Sequence, residues 1–257
     1  MYRLDNSFAR APFTVTVAGC GGTGGFVAEG LCRLLPQQAR LVLVDHDRVE
    51  ERNLLRQNFT RQDIGRFKSE ALAYNLARKT GRPVCYSTYP VAMIDFESPG
   101  LILGCVDNGP ARRDIASQLN EHSYYNRWWV DAGNGENYGQ ILIGNQTRRL
   151  LHSFDAESET CLALPLPTIQ MPALLSQTPG MRSCADAVAA SDQGPTINQV
   201  MAALMLEVVR RLIDGTCHWM QLYLDMETGS LVPVMATPEA VEGLTGIKRK
   251  KLLDVKK

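Results

Sequence analysis

Residues that can bind a phosphate and balance its charge lie in two stretches near the start of the sequence. Gly19, Gly21 and Gly24 form a G-x-G-x-x-G turn within VTVAGCGGTGG. Glycine permits positive φ and a close backbone approach, so such a turn can lie against a phosphate. Arg56, in NLLRQ, and Lys68 follow at a spacing of 12 residues. This pair of cations suits an enzyme that breaks a triphosphate, because negative charge builds up on the leaving pyrophosphate.

Two acidic residues end apolar runs of the kind that form buried parallel strands. LVLVD ends at Asp45, 21 residues past Gly24, where a carboxylate suits hydrogen bonding to ribose hydroxyls. LILGCVD ends at Asp107. The carboxyl ends of parallel strands border the ligand crevice of an open α/β sheet. Carboxylate oxygens at that place suit Mg²⁺ bound to nucleotide phosphates.

Alternating strands and helices are predicted to position these residues. A strand enters the glycine turn, and a helix follows from about Thr23 until Pro36 ends it. Its free amides and the positive end of its dipole would face the phosphate. A second helix begins at Lys68 and stops at Gly81. Three further elements complete this half: a strand over 84–91, a helix over 111–122 and a strand over 128–133.

The second half has a different pattern. Residues 139–145 predict a strand that turns antiparallel at the sheet edge, and 152–194 predict a long irregular segment. A strong helix is predicted from Pro195 to Gly215, with a Met and Leu stripe typical of a core or a dimer interface. The sequence WMQLYLDMETGSLVPVM predicts a hairpin. The fold class is therefore α/β, a Rossmann-like, doubly wound, mostly parallel sheet with an antiparallel C-terminal extension, in three α/β/α layers.

Composition and charge exclude several classes of protein. The chain has 257 residues, 45% hydrophobic and 21% charged, which predicts a sizeable core. With 27 basic and 27 acidic residues, net charge gives no argument for a nucleic-acid or membrane partner. No apolar run approaches the ~20 residues of a membrane helix, and the first residues lack a signal-peptide core. We expect a cytoplasmic protein.

Cysteine usage argues against a disulfide framework and against a zinc site. The count of seven is odd, there is no C-x-x-C pair, and the four histidines are scattered. Two isolated thiols such as Cys161 and Cys217 cannot fill a tetrahedral zinc site.

The motifs GCGGTGG, VDHDRVEERNLLRQ, IGRFK and CVDN, in this order, resemble the ThiF/MoeB/HesA family of ubiquitin-activating-enzyme-like adenylyltransferases. The resemblance extends from about Phe13 to Val234. The later stretch SCADAVAASDQGPTINQVMAALMLEVVRRL resembles the ThiF-family protein of the PRTRC gene system.

The resemblance implies an ATP- and Mg²⁺-dependent enzyme that adenylates the C-terminal carboxylate of a small ubiquitin-like or sulfur-carrier protein, and it implies a homodimer. It places one adenylation domain over 1–257, with a nucleotide-binding half over 13–135, a crossover loop over 152–194 and a helix and hairpin over 195–236. Asp107 would hold Mg²⁺. The implied ATP site contains Gly19, Gly21, Gly22, Gly24, Asp45, Asp47, Asn53, Arg56, Gln57, Lys68, Asp107 and Asn108.

Cys184, in RSCAD near the end of the crossover loop, lies where relatives often place a reactive cysteine. With Arg56, Lys68 and Asp107 it completes the implied catalytic set. Arg182 and a nearby helix N-terminus would favour its thiolate. Cys161 is the alternative nucleophile.

The sequence departs from the family pattern at several places. It lacks the two zinc-binding C-x-x-C pairs of many relatives, so we predict no zinc. Arg3 and Arg10 are the candidates for an arginine that reaches a partner's ATP site, but the surrounding motif does not match, and a solvated arginine is favoured. The basic tail within 246–257 ends in KRKKLLDVKK, net +5, and is expected to be disordered and solvated, with contact to an acidic partner as the alternative.

Three other functions stay open. An NAD-dependent oxidoreductase would explain the glycine turn and Asp45, but would leave Arg56, Lys68 and Asp107 without a joint purpose. A catalytically silent scaffold would keep the fold and bind a ubiquitin-like or conjugating protein. A narrower variant of the enzyme would adenylate a carboxylate on a small molecule or on a tRNA base.

Overall fold

The main sheet of the protein is built around the strand that leads into the glycine turn. A computed structural model describes residues 1–97, 99–121, 127–147, 150–176 and 196–254. Within them the strands are β1 Arg3–Leu4, β2 Thr14–Ala18, β3 Arg40–Val44, β4 Cys85–Ser87, β5 Gly100–Gly104, β6 Arg127–Asn134, β7 Tyr138–Gly144, β8 Phe154–Asp155, β9 Thr160–Cys161, β10 Trp219–Asp225, β11 Ser230–Met235 and β12 Leu253–Asp254.

Eight of the described strands form one mixed sheet in the order β11-β10-β7-β6-β5-β2-β3-β4. The five neighbouring strands β6, β5, β2, β3 and β4 are parallel to one another. The strands β7, β10 and β11 run antiparallel to their neighbours. The chain passes from β2 to β3 on one side and later places β5 on the other side of β2. The connections after β2 and β5 therefore leave in opposite directions and open a crevice at the carboxyl ends of these strands. This arrangement confirms the predicted fold class.

The helices cover both faces of this sheet. Val17 and Leu43 point to one face and belong to the same apolar cluster as Leu31. Ile102 and Trp129 point to the other face and share a second cluster with Ile115. Alternate residues of a strand face opposite sides, so both faces of these buried strands carry apolar residues. The described α-helices are α1 Gly22–Leu34, α2 Lys68–Thr80, α3 Gly109–Glu121, α4 Pro167–Gln170, α5 Ile197–Asp214, α6 Pro238–Thr245 and α7 Arg249–Leu252. None of them is long and apolar enough to cross a bilayer.

Helix α5 packs against α1 on one face of the sheet. Met201, Met205 and Val208 are fully buried in the larger cluster, so the Met and Leu stripe predicted from the sequence is core. Leu206 lies over Gly30 of α1, where a Cβ would collide with the leucine methyls. Gly215 ends the helix with φ +67, as a C-terminal glycine permits.

A second, small sheet corrects two expectations from the sequence. Its order is β1-β9-β8-β12, so it joins both ends of the described chain to residues 154–161. The first part of the segment expected to be irregular is thus ordered, and so is the basic tail up to Asp254. The tail orders because Leu252 is fully buried and Leu253 pairs with Phe154. The basic residues that dominate the tail masked the signal of the apolar pair Leu252 and Leu253, which follows Lys251.

Two other predictions about the strands were wrong. β7 is not an edge strand, because the β10–β11 hairpin adds two strands beyond it. The third parallel strand, β4, covers only Cys85–Ser87, since the chain turns into a 3-10 helix at Val91–Met93. The predicted hairpin is confirmed, with its turn between Asp225 and Ser230.

Candidate functional site

The turn after β2 has a backbone path that side chains would block. Gly19 has φ +91, and a Cβ there would lie 2.6 Å from the carbonyl oxygen of Cys105. A Cβ on Gly24 would collide with the carbonyl oxygen of Gly19. Glycine is therefore needed at both positions for the turn to pass close to β5 and for α1 to start beneath it.

The carboxylate of Asp45 holds this turn in place from the end of β3. Its Oδ2 accepts a hydrogen bond from the Cys20 N–H at 2.7 Å, and its Oδ1 accepts one from the Asp47 N–H at 2.8 Å. Burial raises the pKa of Asp45, although the nearby Lys68 acts in the opposite direction. Asp45 therefore orients the turn in addition to bordering the space in front of it.

Lys68 begins α2 and extends into the same space. Its ammonium lies 2.9 Å from Asp47 Oδ2, and its side chain is only 12% exposed. Burial acts to lower the pKa of Lys68, but the carboxylates of Asp45, Asp47 and Asp107 outweigh it, so the pKa is raised. The lysine is thus a cation held among three acids that follow two different strands.

The stretch around residues 50–57 forms a 3-10 turn, Glu51–Leu55, that is closed by a capping box between Glu50 and Asn53. Asn53 is buried, and its Oδ1 accepts a hydrogen bond from the Glu50 N–H at 2.9 Å. Gln57 carries a buried Oε1 without a hydrogen-bond partner among the described residues. Asn53 and Gln57 border the cavity, whereas Arg56 does not; Arg52, four residues earlier, does.

Asp107 and Asn108 follow β5. Asn108 Oδ1 accepts a hydrogen bond from the Ala111 N–H at 2.9 Å, and its Nδ2 donates to Asp107 Oδ1 at 3.2 Å. Asn108 thus caps the start of α3, while the carboxylate of Asp107 is exposed at the rim of the cavity.

A cavity of about 570 Å³ lies at the carboxyl ends of β2, β3, β5 and β6, where the sheet topology places the crevice. Gly24 and Arg56 are near it but do not border it. The predicted residues that border it are Gly19, Gly21, Gly22, Asp45, Asp47, Asn53, Gln57, Lys68, Asp107 and Asn108.

Sequence reasoning missed a group of polar residues on the β6 side of the cavity. Asn198 Oδ1 accepts hydrogen bonds from the Thr23 hydroxyl at 3.1 Å and from Asn134 Nδ2 at 3.2 Å. Arg112 also borders the cavity, and its Nε donates to Asp131 Oδ2 at 2.9 Å in a pair with both side chains 1% exposed. Thr23 and Asn198 are 175 positions apart in the sequence, so no local motif could have joined them.

The burial of Cys161 and Cys217 bears on which cysteine could act as a nucleophile. Cys161 is fully buried in β9, and burial raises the pKa of its thiol, so it is poorly suited to act as a nucleophile. Cys217 is also a free, buried thiol, and burial raises its pKa to about 11. Cys184, with Arg182, lies outside the described residues.

One set of side chains in the described part of the chain has the spacing of metal ligands. Ligand atoms of Asp45, His46 and Asp47 lie within 4.8 Å of one another. This group adjoins Lys68 and was missed from the sequence, where His46 was counted as one of four scattered histidines.

Comparison with known proteins gives a family match and a fold match. The sequence model described as the ThiF family matches residues 10–224. Ubiquitin-like modifier-activating enzyme 5 of Drosophila willistoni is 35% identical over 141 residues, which cover 48% of this chain and 34% of that protein. The same-named protein of Xenopus laevis is 34% identical over 143 residues, covering 49% of this chain and 34% of that protein.

Solved structures share the fold at low sequence identity. E. coli MccB with ATP superposes with a TM-score of 0.59 at 16% identity, over 89% of this chain and 64% of that one. PaaA superposes with a TM-score of 0.56 at 16% identity, over 89% of this chain and 64% of that one. The matched region spans about a third of the length of the curated relatives and under two thirds of the structural ones.

Proposed function

The chain belongs to the ThiF family, and on that premise we propose that it uses ATP to adenylate the C-terminal carboxylate of a small ubiquitin-like or sulfur-carrier protein. The observation that carries the proposal is the position of Lys68. This cation lies among Asp45, Asp47 and Asp107, beside a glycine turn, in one cavity. A cation and carboxylates that converge beside exposed backbone amides suit a metal-bound triphosphate.

The cavity fits a nucleotide in size and in chemistry. Its volume of about 570 Å³ lies within the ~300–1,000 Å³ typical of small-molecule sites. The glycine turn borders the cavity through Gly19, Gly21 and Gly22, and the start of α1 adds the positive end of its dipole. Asp45 lies at the end of the strand after α1, where a carboxylate reaches ribose hydroxyls.

Each residue then has a role in the reaction. The glycine turn and Lys68 bind the phosphates, and Asn53 and Gln57 line the site beside them. Asp107, with Asp47 on the same cavity, would hold Mg²⁺, which neutralises phosphate charge. An oxygen of the carrier's terminal carboxylate attacks the α-phosphorus and forms a new P–O bond. The bond between the α-phosphorus and the bridging oxygen breaks, and its electron pair leaves with pyrophosphate, so the chain's residues need only position and stabilise charge.

The finer parts of the proposal concern the cysteine, the arginine and the partner. Cys184 is the proposed acceptor of the activated acyl group, since Cys161 is buried with a raised thiol pKa. Arg52 borders the cavity and is a candidate for a phosphate contact alongside Arg56. A homodimer is part of the same proposal. The names of the matched relatives, ubiquitin-like modifier-activating enzymes, and the MccB structure with ATP support the substrate and the nucleotide.

Exchange of labelled pyrophosphate into ATP tests the proposal. The purified chain is assayed with MgATP alone and with small candidate carrier proteins that end in Gly-Gly. Exchange that needs the carrier supports adenylation. ATP binding without exchange for any such carrier would instead indicate a scaffold, and nicotinamide dinucleotide binding without ATP binding would indicate an oxidoreductase. An intact-mass increase equal to the acyl carrier, lost in Cys184→Ala, tests the transfer step.

A further inference from the structure

The side of the cavity formed by β6 and α5 carries polar groups that the nucleotide does not require. Asp45 follows β3, and Asn134 ends β6; β2 and β5 lie between these strands. A nucleotide with its ribose at Asp45 and its phosphates at Lys68 and the glycine turn would occupy the side of the cavity near β3. The side near β6 is left for the second substrate, and Thr23, Asn134 and Asn198 border it.

The hydrogen bonds of Asn198 fix the orientation of its amide. Oδ1 accepts from both the Thr23 hydroxyl, at 3.1 Å, and Asn134 Nδ2, at 3.2 Å. Nδ2 therefore points the other way and lies over Gly22 at the start of α1, where a Cβ on that glycine would collide with it. Gly22 thus leaves room for the amide nitrogen directly beside the phosphate-binding turn.

The Nδ2 group of Asn198 is a hydrogen-bond donor at the wall of the cavity. The side chain is only 6% exposed and borders the cavity. Within the described parts of the chain, Nδ2 donates to no residue. Donors in buried side chains are nearly always paired, because an unpaired one costs free energy that no other contact returns. A substrate bound in the cavity can supply an acceptor for this group.

We propose that Asn198 Nδ2 binds the terminal carboxylate of the second substrate, an inference that rests on the proposed adenylation. One carboxylate oxygen attacks the α-phosphorus while the other accepts the hydrogen bond from Nδ2. When pyrophosphate has left with the electron pair of the broken P–O bond, the oxygen held by Nδ2 is the carbonyl oxygen of the acyl-adenylate. The positive end of the α1 dipole, at Gly22, favours an anion at the same point.

Two adenosine probes separate this contact from nucleotide binding. One is 5′-O-(N-glycylsulfamoyl)adenosine, a stable mimic of an acyl-adenylate, and the other is AMP, which has no acyl group. Isothermal titration calorimetry measures both with the full chain. We expect Asn198→Ala to weaken binding of the glycyl probe about tenfold, the usual effect of one lost hydrogen bond, and to change AMP binding less than twofold.

A neighbouring residue on the same helix provides the control. Gln199 is exposed, so Gln199→Ala should change neither affinity. If Asn198→Ala does not fold, Asn198→Ser keeps a hydroxyl for Asn134 but removes Nδ2, and should show the same selective loss. An equal loss of affinity for both probes, or no loss for either, would overturn the role of Asn198 without contradicting the proposed ATP site. A wild-type chain that binds neither AMP nor ATP would instead overturn the proposed function, and this inference with it.

Discussion

The ammonium of Lys68 lies 2.9 Å from the Asp47 carboxylate, although Lys68 begins α2 and Asp47 follows β3. The Lys68 N–H also donates to the Asp47 carbonyl oxygen at 2.8 Å, so the helix start is tied to the loop through its backbone as well. The lysine therefore has a fixed position before any ligand arrives. When a phosphate binds in the cavity, the Lys68 ammonium would leave the exposed Asp47 carboxylate and pair with the phosphate, which carries more negative charge.

Lys68→Ala should weaken ATP binding by roughly tenfold to a hundredfold, because a charge-assisted hydrogen bond to phosphate is lost. The backbone bond to Asp47 does not depend on the side chain, so the thermal midpoint should change little. Lys79→Ala is the matched control, since Lys79 lies in the last turn of the same helix and pairs with Glu29 away from the cavity. Titration calorimetry with MgATP measures both. Undiminished ATP affinity in Lys68→Ala would contradict the assignment of the phosphate site.

Gly24 and Gly25 are adjacent in α1 but meet different surroundings. A Cβ on Gly24 would collide with the Gly19 carbonyl oxygen, whereas a Cβ on Gly25 would lie 3.6 Å from Asn58 Cβ, an ordinary contact. Gly24→Ala should therefore lower the free energy of unfolding by about 1–3 kcal/mol, as overpacking does. Gly25→Ala should raise it by ~0.5–1 kcal/mol, because alanine is the better helix former. Urea titrations of the two variants measure the difference, and equal effects would contradict the geometry of the turn.

Local patterns predicted the parts of the site that lie close together in sequence. The glycine turn, Asp45 and the start of α2 at Lys68 follow from spacing and periodicity, and the structure places them on one cavity. Asn198 could not be predicted this way, because its partners Thr23 and Asn134 come from two other elements. These contacts exist only once α5 packs on α1.

Local backbone geometry decides which arginine of this stretch borders the cavity. The stretch NLLRQ predicts Arg56 at the phosphates, and that contact stays a prediction. In the structure Arg52, in the 3-10 turn Glu51–Leu55, borders the cavity. A 3-10 turn has three residues per revolution, so different side chains share a face than in an α-helix. Sequence spacing alone does not show which of the two conformations the chain adopts.

The C-terminal tail gives a stability prediction. Leu252 is fully buried in the larger apolar cluster, although Lys250 and Lys251 just before it are exposed. Leu252→Ala should lower the free energy of unfolding by about 2–5 kcal/mol, the range for a buried leucine truncated to alanine. Lys250→Ala, two positions earlier and exposed, should change it by less than ~0.5 kcal/mol. Chemical denaturation of both variants measures this, and a silent Leu252→Ala would restore the expectation of a disordered tail.

Asp131 should give the protein a stability that depends on pH. Burial raises its pKa to about 6 despite the pairing with Arg112, and its Oδ1 has no hydrogen-bond partner among the described residues. Because the folded-state pKa lies above the unfolded value, this residue's contribution is fully present below the unfolded pKa, about 4. It is lost as the pH rises through about 6, since the folded state then holds the proton that the unfolded state has released.

The free energy of unfolding of the wild type, measured relative to Asp131→Asn, should therefore fall between about pH 4 and pH 7, by at most about 3 kcal/mol. Asp225→Asn is the control with the opposite sign. Hydrogen bonds from Thr228 lower the pKa of the partly exposed Asp225, so its small contribution is present at neutral pH and is lost on acidification. Urea titrations at several pH values distinguish the two directions. A difference for Asp131 that rises with pH would mean that Arg112 outweighs burial, and that the pair is ionised throughout.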